Sequence, residues 1–329
     1  MMNRFFNFVF IFLLSLLISN CGKNNSNKST TYTLKFGHLA NENHVWHKAA
    51  LKFAKSVRQK SNGRIEVKVY PNEQLGKELD MITGILAGTV DMTITGESLQ
   101  NWAPKVAMCA VPYLIRDSEH LAKVAGGEIG KEIEEEMIDK IGLRPIAWFE
   151  RGARNLTSNR PIRHPDDLKG IILRVPNVPL FVKAWSALGA KPTPMAFSEV
   201  FTSLQQGTIE AQENPYALIY SAGFYEVQKY INLTEHVIGW IYVVIGEKQF
   251  QALPTDLQQV ILEAGKEMQD YEHQLFLEDQ KRLVKELKAK GMQFIEVDKE
   301  AFMERAKDAV FNSLTPEQRD LYLRIEAIK

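Results

Sequence analysis

Two arginines, Arg154 and Arg174, stand in or beside two short strand-like runs, Asn155 to Ser158 and Ile171 to Val175. A guanidinium stays charged at any ordinary pH and presents a planar fork of donors that fits the two oxygens of a carboxylate. A pair of such groups can therefore bind an organic anion and fix its orientation. The alternative is that each arginine is solvated or paired with a nearby acid, which is the usual environment of this residue type.

Two further polar residues follow strand-like runs near the front of the chain. His38 comes after Thr33 to Gly37, and Glu97 comes after Asp91 to Thr95. Helical periodicity separates these runs, and in a parallel sheet with crossover helices ligands bind where strand ends meet helix starts. A carboxylate there would accept hydrogen bonds from hydroxyl groups but would repel a nearby acid group, so Glu97 favours a polyol acid over a short dicarboxylate.

Catalytic and metal-binding patterns are weak in this sequence. His44 and His47 lie three residues apart on one predicted helix, but no third ligand completes a zinc site. No Gly-x-Ser-x-Gly elbow occurs, and Gly126 to Gly130 lacks the phosphate-loop lysine and the dinucleotide spacing. The acidic run from Glu134 to Glu136 is predicted as a solvated helix face. We therefore expect no metal, no cofactor and no enzymatic activity.

The overall composition limits the kinds of partner. Forty acidic residues balance forty basic ones in a chain of 329 residues, so no global basic field exists to hold nucleic acid. A hydrophobic content of 45% supplies a core, and the length favours two domains over one. Partners must therefore be recognised by local groups.

The chain begins with a pattern typical of export. Arg4 precedes an apolar run from Phe5 to Ile18, which is too short to span a bilayer comfortably and fits the apolar region of a signal peptide. We therefore predict residues 1–20 as a signal peptide. The protein is expected to be exported to the periplasm or the cell envelope.

A cysteine follows the predicted signal peptide directly. The run from Ile18 to Gly22 looks like a bacterial lipobox, although Asn20 replaces the usual small residue. We predict that Cys21 is lipidated and that residues 21–31, which are polar and turn-forming, are a lipidated tether to a membrane. The alternative is a plain signal peptide that contains a cysteine. Once Cys21 is lipidated, Cys109 lacks an internal disulfide partner, and it is predicted as a buried small hydrophobe.

Periodicity predicts β-α-β order at the front of the chain. Apolar residues recur at helical spacing from Val45 to Val57 and from Leu79 to Ala87, and they alternate as in a strand from Ile65 to Val69. A later strand-like run, Ile146 to Glu150, leads to a crossing near Arg151. We predict that this crossing is the hinge between two domains.

The second half of the chain carries an unusually long helical pattern. No proline interrupts Asp256 to Lys290 and only Gly265 weakens the pattern, so a continuous helix would extend roughly 50 Å. Thr255 and Gln258 have capping-box spacing at its start. Thr315 to Gln318 is a second capping box, with proline at the first helical position. A helix of this length is expected to bridge both domains.

Four separated motifs occur in order through the middle of the chain: Gly152 to Asn159, Leu173 to Asn177, Pro192 to Phe201 and Gln212 to Pro215. Together they resemble the solute-binding proteins of TRAP transporters. The resemblance extends from Lys35 to about Leu321, nearly the whole mature chain. It implies a periplasmic binding protein that closes over an organic acid and passes it to an ion-driven membrane permease.

The resemblance also implies the fold. We expect an α/β, two-lobed, periplasmic-binding-protein-like fold with a β-sheet flanked by helices in each lobe and a long helix spanning both lobes. Lobe I is predicted as residues 32–151 plus 240–279, and lobe II as residues 152–239 plus 280–329. The segment from Ile241 to Phe250 is predicted as a strand that returns to lobe I.

Residue roles follow from the matched motifs. Arg174 matches the family's arginine that makes the bidentate carboxylate contact, and Arg154 matches an auxiliary arginine. Asn214 matches an amide that orients the carboxylate or Arg174, and Phe197 resembles an aromatic wall. A structural hydrogen bond is the alternative for each polar residue, and core packing is the alternative for Phe197.

The substrate prediction uses finer likenesses. The runs HLANENHVWHKAA, TGESLQNWAP and RGARNLTSNRP look more like the branch that takes up hexuronates such as glucuronate and galacturonate. The sialic-acid branch shares PTPMAFSEV and FYEVQKY but has a polar amide where this chain has Leu39. We predict a monomeric receptor for a monocarboxylic sugar acid, a hexuronate. Alternatives are a sialic acid or C4-dicarboxylate receptor, a lipid-anchored enzyme acting on a sugar acid, and a signalling protein.

Overall fold

The computed structural model of the protein describes residues 31–329. The predicted signal peptide, Cys21 and the predicted tether up to residue 30 lie outside the described residues. Within residues 31–329, no helix is long and apolar enough to cross a membrane. The described residues therefore correspond to the two predicted lobes.

Strands form where the sequence alternates apolar and polar residues or carries a short apolar run. All six strands predicted at the front and middle of the chain are confirmed. In chain order the strands are β1 (Tyr32–Gly37), β2 (Ile65–Tyr70), β3 (Met92–Thr95), β4 (Leu143–Glu150), β5 (Arg154–Ser158), β6 (Ile172–Val175), β7 (Lys191–Pro194), β8 (Ala211–Asn214), β9 (Tyr230–Val237), β10 (Trp240–Gly246) and β11 (Gln293–Ile295).

Helices separate most of these strands, and short 3-10 turns complete the connections. The helices are α1 (Val45–Lys60), α2 (Glu78–Ala87), α3 (Ser118–Ala125), α4 (Glu128–Ile141), α5 (Pro179–Ala187), α6 (Val200–Gln206), α7 (Tyr216–Ser221), α8 (Glu247–Gln251), α9 (Thr255–Ala289), α10 (Lys299–Ser313) and α11 (Pro316–Ala327). The 3-10 turns are Glu97–Asn101, Pro104–Ala110, Pro165–Leu168, Phe197–Glu199 and Phe224–Glu226.

The strands form two sheets. The first has the spatial order β2-β1-β3-β10-β4, and the second has the order β11-β9-β5-β8-β6-β7. In the first sheet β1 pairs in parallel with β2 and β3, whereas β10 returns from late in the chain and pairs antiparallel with β3 and β4. We call the part built on the first sheet lobe I and the part built on the second sheet lobe II. The residue boundaries given above for the lobes stay a prediction.

Two short connections link the sheets. The first joins β4 to β5 through Arg151, Gly152 and Ala153, and the second joins β9 to β10 through Ile238 and Gly239. Gly152 has φ +74 and packs against α9, while a Cβ on Gly239 would lie 2.3 Å from the Cys109 carbonyl oxygen. The Arg151 amide donates to the Gly239 carbonyl at 3.2 Å, so the two connections are hydrogen-bonded to each other.

The long helix is confirmed as α9, which has 35 residues. Its first half packs against α1 and β4, and Leu287 near its end packs in an apolar cluster with residues of lobe II. Gly265 lies inside this helix, where a Cβ would be only 2.4 Å from the Ile146 carbonyl oxygen. A larger residue would therefore not fit at this position. The glycine that weakens the helical pattern thus permits close packing of α9 on β4.

Three local predictions concern the ends of helices and strands. The capping box at Thr255 is wrong, because Pro254 is the N-cap and the Gln258 side chain donates from Nε2 to the Leu253 carbonyl instead. The capping box at Thr315 is confirmed at the start of α11. The predicted return strand ends at Gly246, since the following residues form α8.

The acidic run on α4 is not a fully solvated face. Glu136 is buried and accepts hydrogen bonds from the Lys105 amide and the Lys140 ammonium, both at 2.7 Å. Burial raises the pKa of Glu134 to about 7. The correction has a simple cause: α4 packs against the 3-10 turn Pro104–Ala110, and this contact covers part of the acidic run.

Candidate ligand-binding site

A cavity of about 150 Å³ is lined by residues of both lobes. Five of the six predicted ligand contacts line it: Arg174, Arg154, Asn214, Phe197 and Glu97. These residues come from β6, β5, β8, a 3-10 turn after β7, and the turn after β3. Most therefore stand at or near strand ends, which is where an α/β sheet presents its ligand sites.

Arg174 is a buried cation without an acidic partner among the described residues. Its side chain is held by the Met195 carbonyl, which accepts from Nε at 3.0 Å and from Nη2 at 2.6 Å. Burial lowers the pKa of its guanidinium to about 10. A buried charge is costly unless it is paired. An anion in the cavity could therefore pair with Arg174.

Arg154 has a different environment. Glu213 on the neighbouring strand β8 accepts from its Nε at 2.5 Å and from its Nη2 at 2.7 Å. His236 Nε2 lies 2.9 Å from the same carboxylate, and Thr234 Oγ1 lies 2.9 Å from His236 Nδ1. Burial opposes ionisation of Glu213, but Arg154 and His236 outweigh it and lower the pKa of the carboxyl to about 2. Arg154 is thus already paired inside lobe II.

The acidic groups of the cavity belong to lobe I. Glu97 forms an ion pair with Arg151 and lies 3.6 Å from Arg154 Nη1. Burial opposes its ionisation, but the two arginines outweigh burial and lower the pKa of Glu97. Glu78 accepts from Thr95 Oγ1 at 2.7 Å, and burial together with the charge of Glu97 raises its pKa. One wall of the cavity can thus accept hydrogen bonds through the oxygens of these carboxyl groups.

Asn214 and Phe197 complete the lobe II side. Asn214 Nδ2 donates to Gln212 Oε1 at 2.7 Å, and it makes no hydrogen bond to Arg174 in the described structure. The Phe197 ring packs edge-on against Phe224, with ring centroids 5.9 Å apart. Phe197 and Leu39 thus supply apolar parts of the cavity wall.

His38 does not line the cavity. It is fully buried, its Nε2 lies 3.1 Å from His47 Nδ1, and burial lowers its pKa to about 3. Its carbonyl accepts from the Glu73 amide at 3.1 Å. The geometry gives His38 a supporting role for the loop after β2 and no contact with the cavity.

Sequence reasoning missed several lining residues, among them Glu73, Lys77, Glu78 and Arg151. The first three follow β2, so the rule that selected residues after β1 and β3 would also have selected this loop. Arg151 was assigned only to the hinge. The pairing of Arg154 with Glu213 had no local signal, since the two residues are 59 positions apart.

Contacts at the mouth of the cavity join the two lobes. Lys77 Nζ of lobe I lies 2.5 Å from Glu199 Oε1 of lobe II, and Asn41 Nδ2 donates to the Ser221 carbonyl at 2.5 Å. The Lys77–Glu199 pair is about half exposed and is therefore weak. The lobes thus meet over the cavity, which is the arrangement expected of a binding protein with its cleft closed.

Residues 36–316 match the family described as bacterial extracellular solute-binding protein, family 7. The chain belongs to this family, the solute-binding proteins of TRAP transporters. Members are extracytoplasmic receptors that work with TRAP permeases; they are not enzymes. The TRAP resemblance drawn from the four motifs is therefore confirmed.

Several relatives of this TRAP receptor are known. A solute-binding protein of Roseobacter denitrificans is 57% identical over 88% of this chain and 89% of its own. Its crystal structure, with bound L-galactonate, has a TM-score of 0.89 at 55% identity and covers 90% of this chain and 99% of that one. The 2,3-diketo-L-gulonate-binding periplasmic protein of Escherichia coli is 33% identical over 94% of this chain and 93% of its own.

A third relative has a bound hexuronate. The TRAP periplasmic solute-binding protein of Pseudomonas putida, with bound D-glucuronate, is 30% identical with a TM-score of 0.87, over 90% of this chain and 97% of that one. The match to such structures confirms the predicted two-lobed α/β fold, including the long helix.

Proposed function

We propose that this TRAP receptor binds a six-carbon monocarboxylic sugar acid, with the ligand carboxylate on Arg174. The observation that carries the proposal is the buried Arg174 guanidinium, which has no acidic partner in residues 31–329 and faces the cavity. A ligand carboxylate would supply the missing charge and accept the fork of donors.

The opposite wall supports a ligand rich in hydroxyl groups. Glu97 and Glu78 place carboxyl oxygens in the cavity, where they would accept hydrogen bonds from hydroxyls but repel a second carboxylate. This charge distribution disfavours a C4-dicarboxylate. Leu39 lines the same cavity in the place where the sialic-acid branch has an amide, which disfavours sialic acid.

The hexuronate prediction remains part of this proposal. The Pseudomonas relative with bound D-glucuronate supports it. The more similar Roseobacter protein has bound L-galactonate, a six-carbon acid without a ring, and it adds hexonates to the candidates. Both classes have one carboxylate and several hydroxyls, as the cavity requires.

Three further residues of lobe II share the proposed contact with the ligand. Arg154, held by Glu213, would reach the edge of the carboxylate through Nη1, which is buried and has no hydrogen-bond partner in the described structure. Asn214 would orient the carboxylate, and Phe197 would pack against the carbon chain. His38 is left out of this set, because it supports the neighbouring loop.

Ligand binding would favour closure of the lobes about the crossing at Arg151. Arg174 lies in lobe II and Glu97 in lobe I, so a ligand that contacts both makes its full set of contacts only in the closed state. The permease would then recognise the closed receptor. We also propose that a lipid on Cys21 holds a monomeric receptor at a membrane.

Differential scanning fluorimetry of the purified protein against a library of organic acids tests the proposal. Hexonates and hexuronates should raise the melting temperature in a concentration-dependent way, because a ligand that binds only the folded state stabilises it. Neutral hexoses should have no effect. Stabilisation by C4-dicarboxylates without stabilisation by any sugar acid would contradict the substrate class.

A further inference from the structure

A second cavity, of about 260 Å³, adjoins the ligand cavity. The two share three lining residues, Leu39, Glu73 and Phe197, so they lie next to each other at these side chains. The far wall of the second cavity is formed in part by Phe201 and Ala222. A second space therefore adjoins the part of the site that contains Arg174.

Glu73 stands at the junction of the two cavities. Both of its carboxyl oxygens are buried and lack a hydrogen-bond partner in residues 31–329. Its backbone is left-handed, with φ 54, and the preceding Asn72 has the same φ. Amide hydrogen bonds from Asn72 to the Ala40 carbonyl, at 2.9 Å, and from Glu73 to the His38 carbonyl, at 3.1 Å, hold this uncommon conformation. The loop thus fixes a carboxyl acceptor at the junction, with Ser198 as its neighbouring donor.

The lining of the second cavity excludes a second anionic group. No lysine, arginine or histidine lines it within the described residues, and its polar groups are amides, serine hydroxyls and the Glu73 carboxyl. Such a wall suits neutral hydroxyl groups, whose donors can reach Glu73 and whose carbons can pack against Phe201 and Phe224.

We propose that the second cavity is a subsite for the distal, hydroxyl-bearing end of an open-chain sugar acid, and that Glu73 accepts hydrogen bonds from those hydroxyls. The inference rests on the proposed function and deepens it. An extended six-carbon acid held by its carboxylate at Arg174 would pass Leu39 and Phe197 and enter the subsite, whereas a four-carbon acid would end before it. The receptor therefore prefers an open-chain hexonate to a shorter acid.

The test uses isothermal titration with two acids of different length, L-galactonate and D-erythronate, on the full-length processed protein. The wild type should bind L-galactonate at least about tenfold more tightly than D-erythronate. Ala222→Leu places a larger side chain in the subsite and should abolish that preference, while D-erythronate binds as before. Ala252→Leu is the matched control, because Ala252 is also a right-handed helix C-cap but is exposed and remote.

A second variant tests the acceptor role. Glu73→Gln keeps the size of the side chain but removes the carboxyl group. It should weaken the affinity for L-galactonate by about three- to tenfold and the affinity for D-erythronate by less than about twofold. Glu66→Gln, on the exposed face of β2, is the control and should bind both acids as the wild type does. Unchanged D-erythronate binding also shows that each variant is folded.

The possible failures are distinguishable. Equal affinity of the wild type for the two acids, or equal weakening of both by Ala222→Leu, would overturn the subsite and leave the sugar-acid receptor intact. Binding of neither acid by the wild type, together with no effect of other sugar acids on its melting temperature, would overturn the proposed function and the subsite with it.

Discussion

The two arginines of the cavity differ in one respect that decides their roles. Arg154 is paired with Glu213 inside lobe II, whereas Arg174 is held only by the Met195 carbonyl. The same residue type therefore contributes to the fold at one position and keeps its charge available at the other. Burial alone does not separate the two, since Arg154 is 2% and Arg174 3% exposed. The acidic partner separates the two arginines, because Glu213 pairs with Arg154 and no carboxylate of residues 31–329 pairs with Arg174.

The largest expected effect concerns the paired arginine. Glu213→Ala leaves Arg154 buried without its main counter-ion, and the free energy of unfolding should fall by about 3–5 kcal/mol. Urea denaturation followed by circular dichroism measures this loss. Glu226→Ala, at an exposed position, should change stability by less than about 0.5 kcal/mol. A Glu213→Ala protein as stable as the wild type would remove the distinction between the two arginines.

A smaller effect is expected beside the crossing from β4 to β5, where Glu272 of α9 is buried and its carboxyl has no partner in the described structure. Burial, with the nearby charges of Glu150 and Asp279, raises the pKa of Glu272 well above its usual value. The folded protein thus keeps this carboxyl protonated when the unfolded chain has ionised it. Its contribution to stability is present below the unfolded pKa and is lost as the pH rises.

Glu272→Gln removes that dependence, because the amide is neutral at every pH. The variant should be more stable than the wild type by about 1 kcal/mol at pH 8, and the gain should vanish near pH 4. Thermal melts across this pH range measure the difference. Glu278→Gln, at an exposed site on the same helix, serves as the control. A stability gain that does not change with pH would contradict the assigned protonation state.

The smallest effect on binding is expected from the proposed anchor. Cys21→Ser should prevent lipidation, so the product becomes soluble after processing or remains uncleaved, because two acyl chains hold a protein on a membrane. Affinity for the sugar acid should stay unchanged, since Cys21 precedes the lobes that hold both arginines. Membrane fractionation and titration measure the two properties. Membrane retention of a correctly processed Cys21→Ser protein would count against the anchor.

Much of the fold was predictable because the signals are local. Apolar periodicity predicted α1 and the long α9, and the four motifs placed Arg174 on its strand. The false capping box at Thr255 also came from a local pattern: the spacing was correct, but Pro254 is the N-cap and Thr255 is already the first residue of the helix. Local patterns therefore identify elements well and their ends less well.

The remaining features depend on contacts between distant parts of the chain. Nothing near Arg154 in the sequence indicates that Glu213 pairs with it, because β5 and β8 become neighbours only in the folded sheet. Glu73 reaches the cavity through two successive left-handed residues, neither of them glycine, which composition does not predict. His38 follows the strand-end rule yet points away from the cavity, into contact with His47.

Isothermal titration of Arg174→Ala tests the central claim, that this guanidinium binds the ligand carboxylate. With L-galactonate the variant should lose about 2–5 kcal/mol of binding, roughly thirty- to several-thousand-fold in dissociation constant. With neutral L-galactonamide it should lose little, so the preference for the acid over the amide should collapse. Arg174→Lys should recover part of the lost binding free energy. The control Arg163→Ala, at an exposed site, should bind L-galactonate as the wild type does. If Arg174→Ala retains the wild-type preference for the acid over the amide, Arg174 is structural and the carboxylate binds elsewhere.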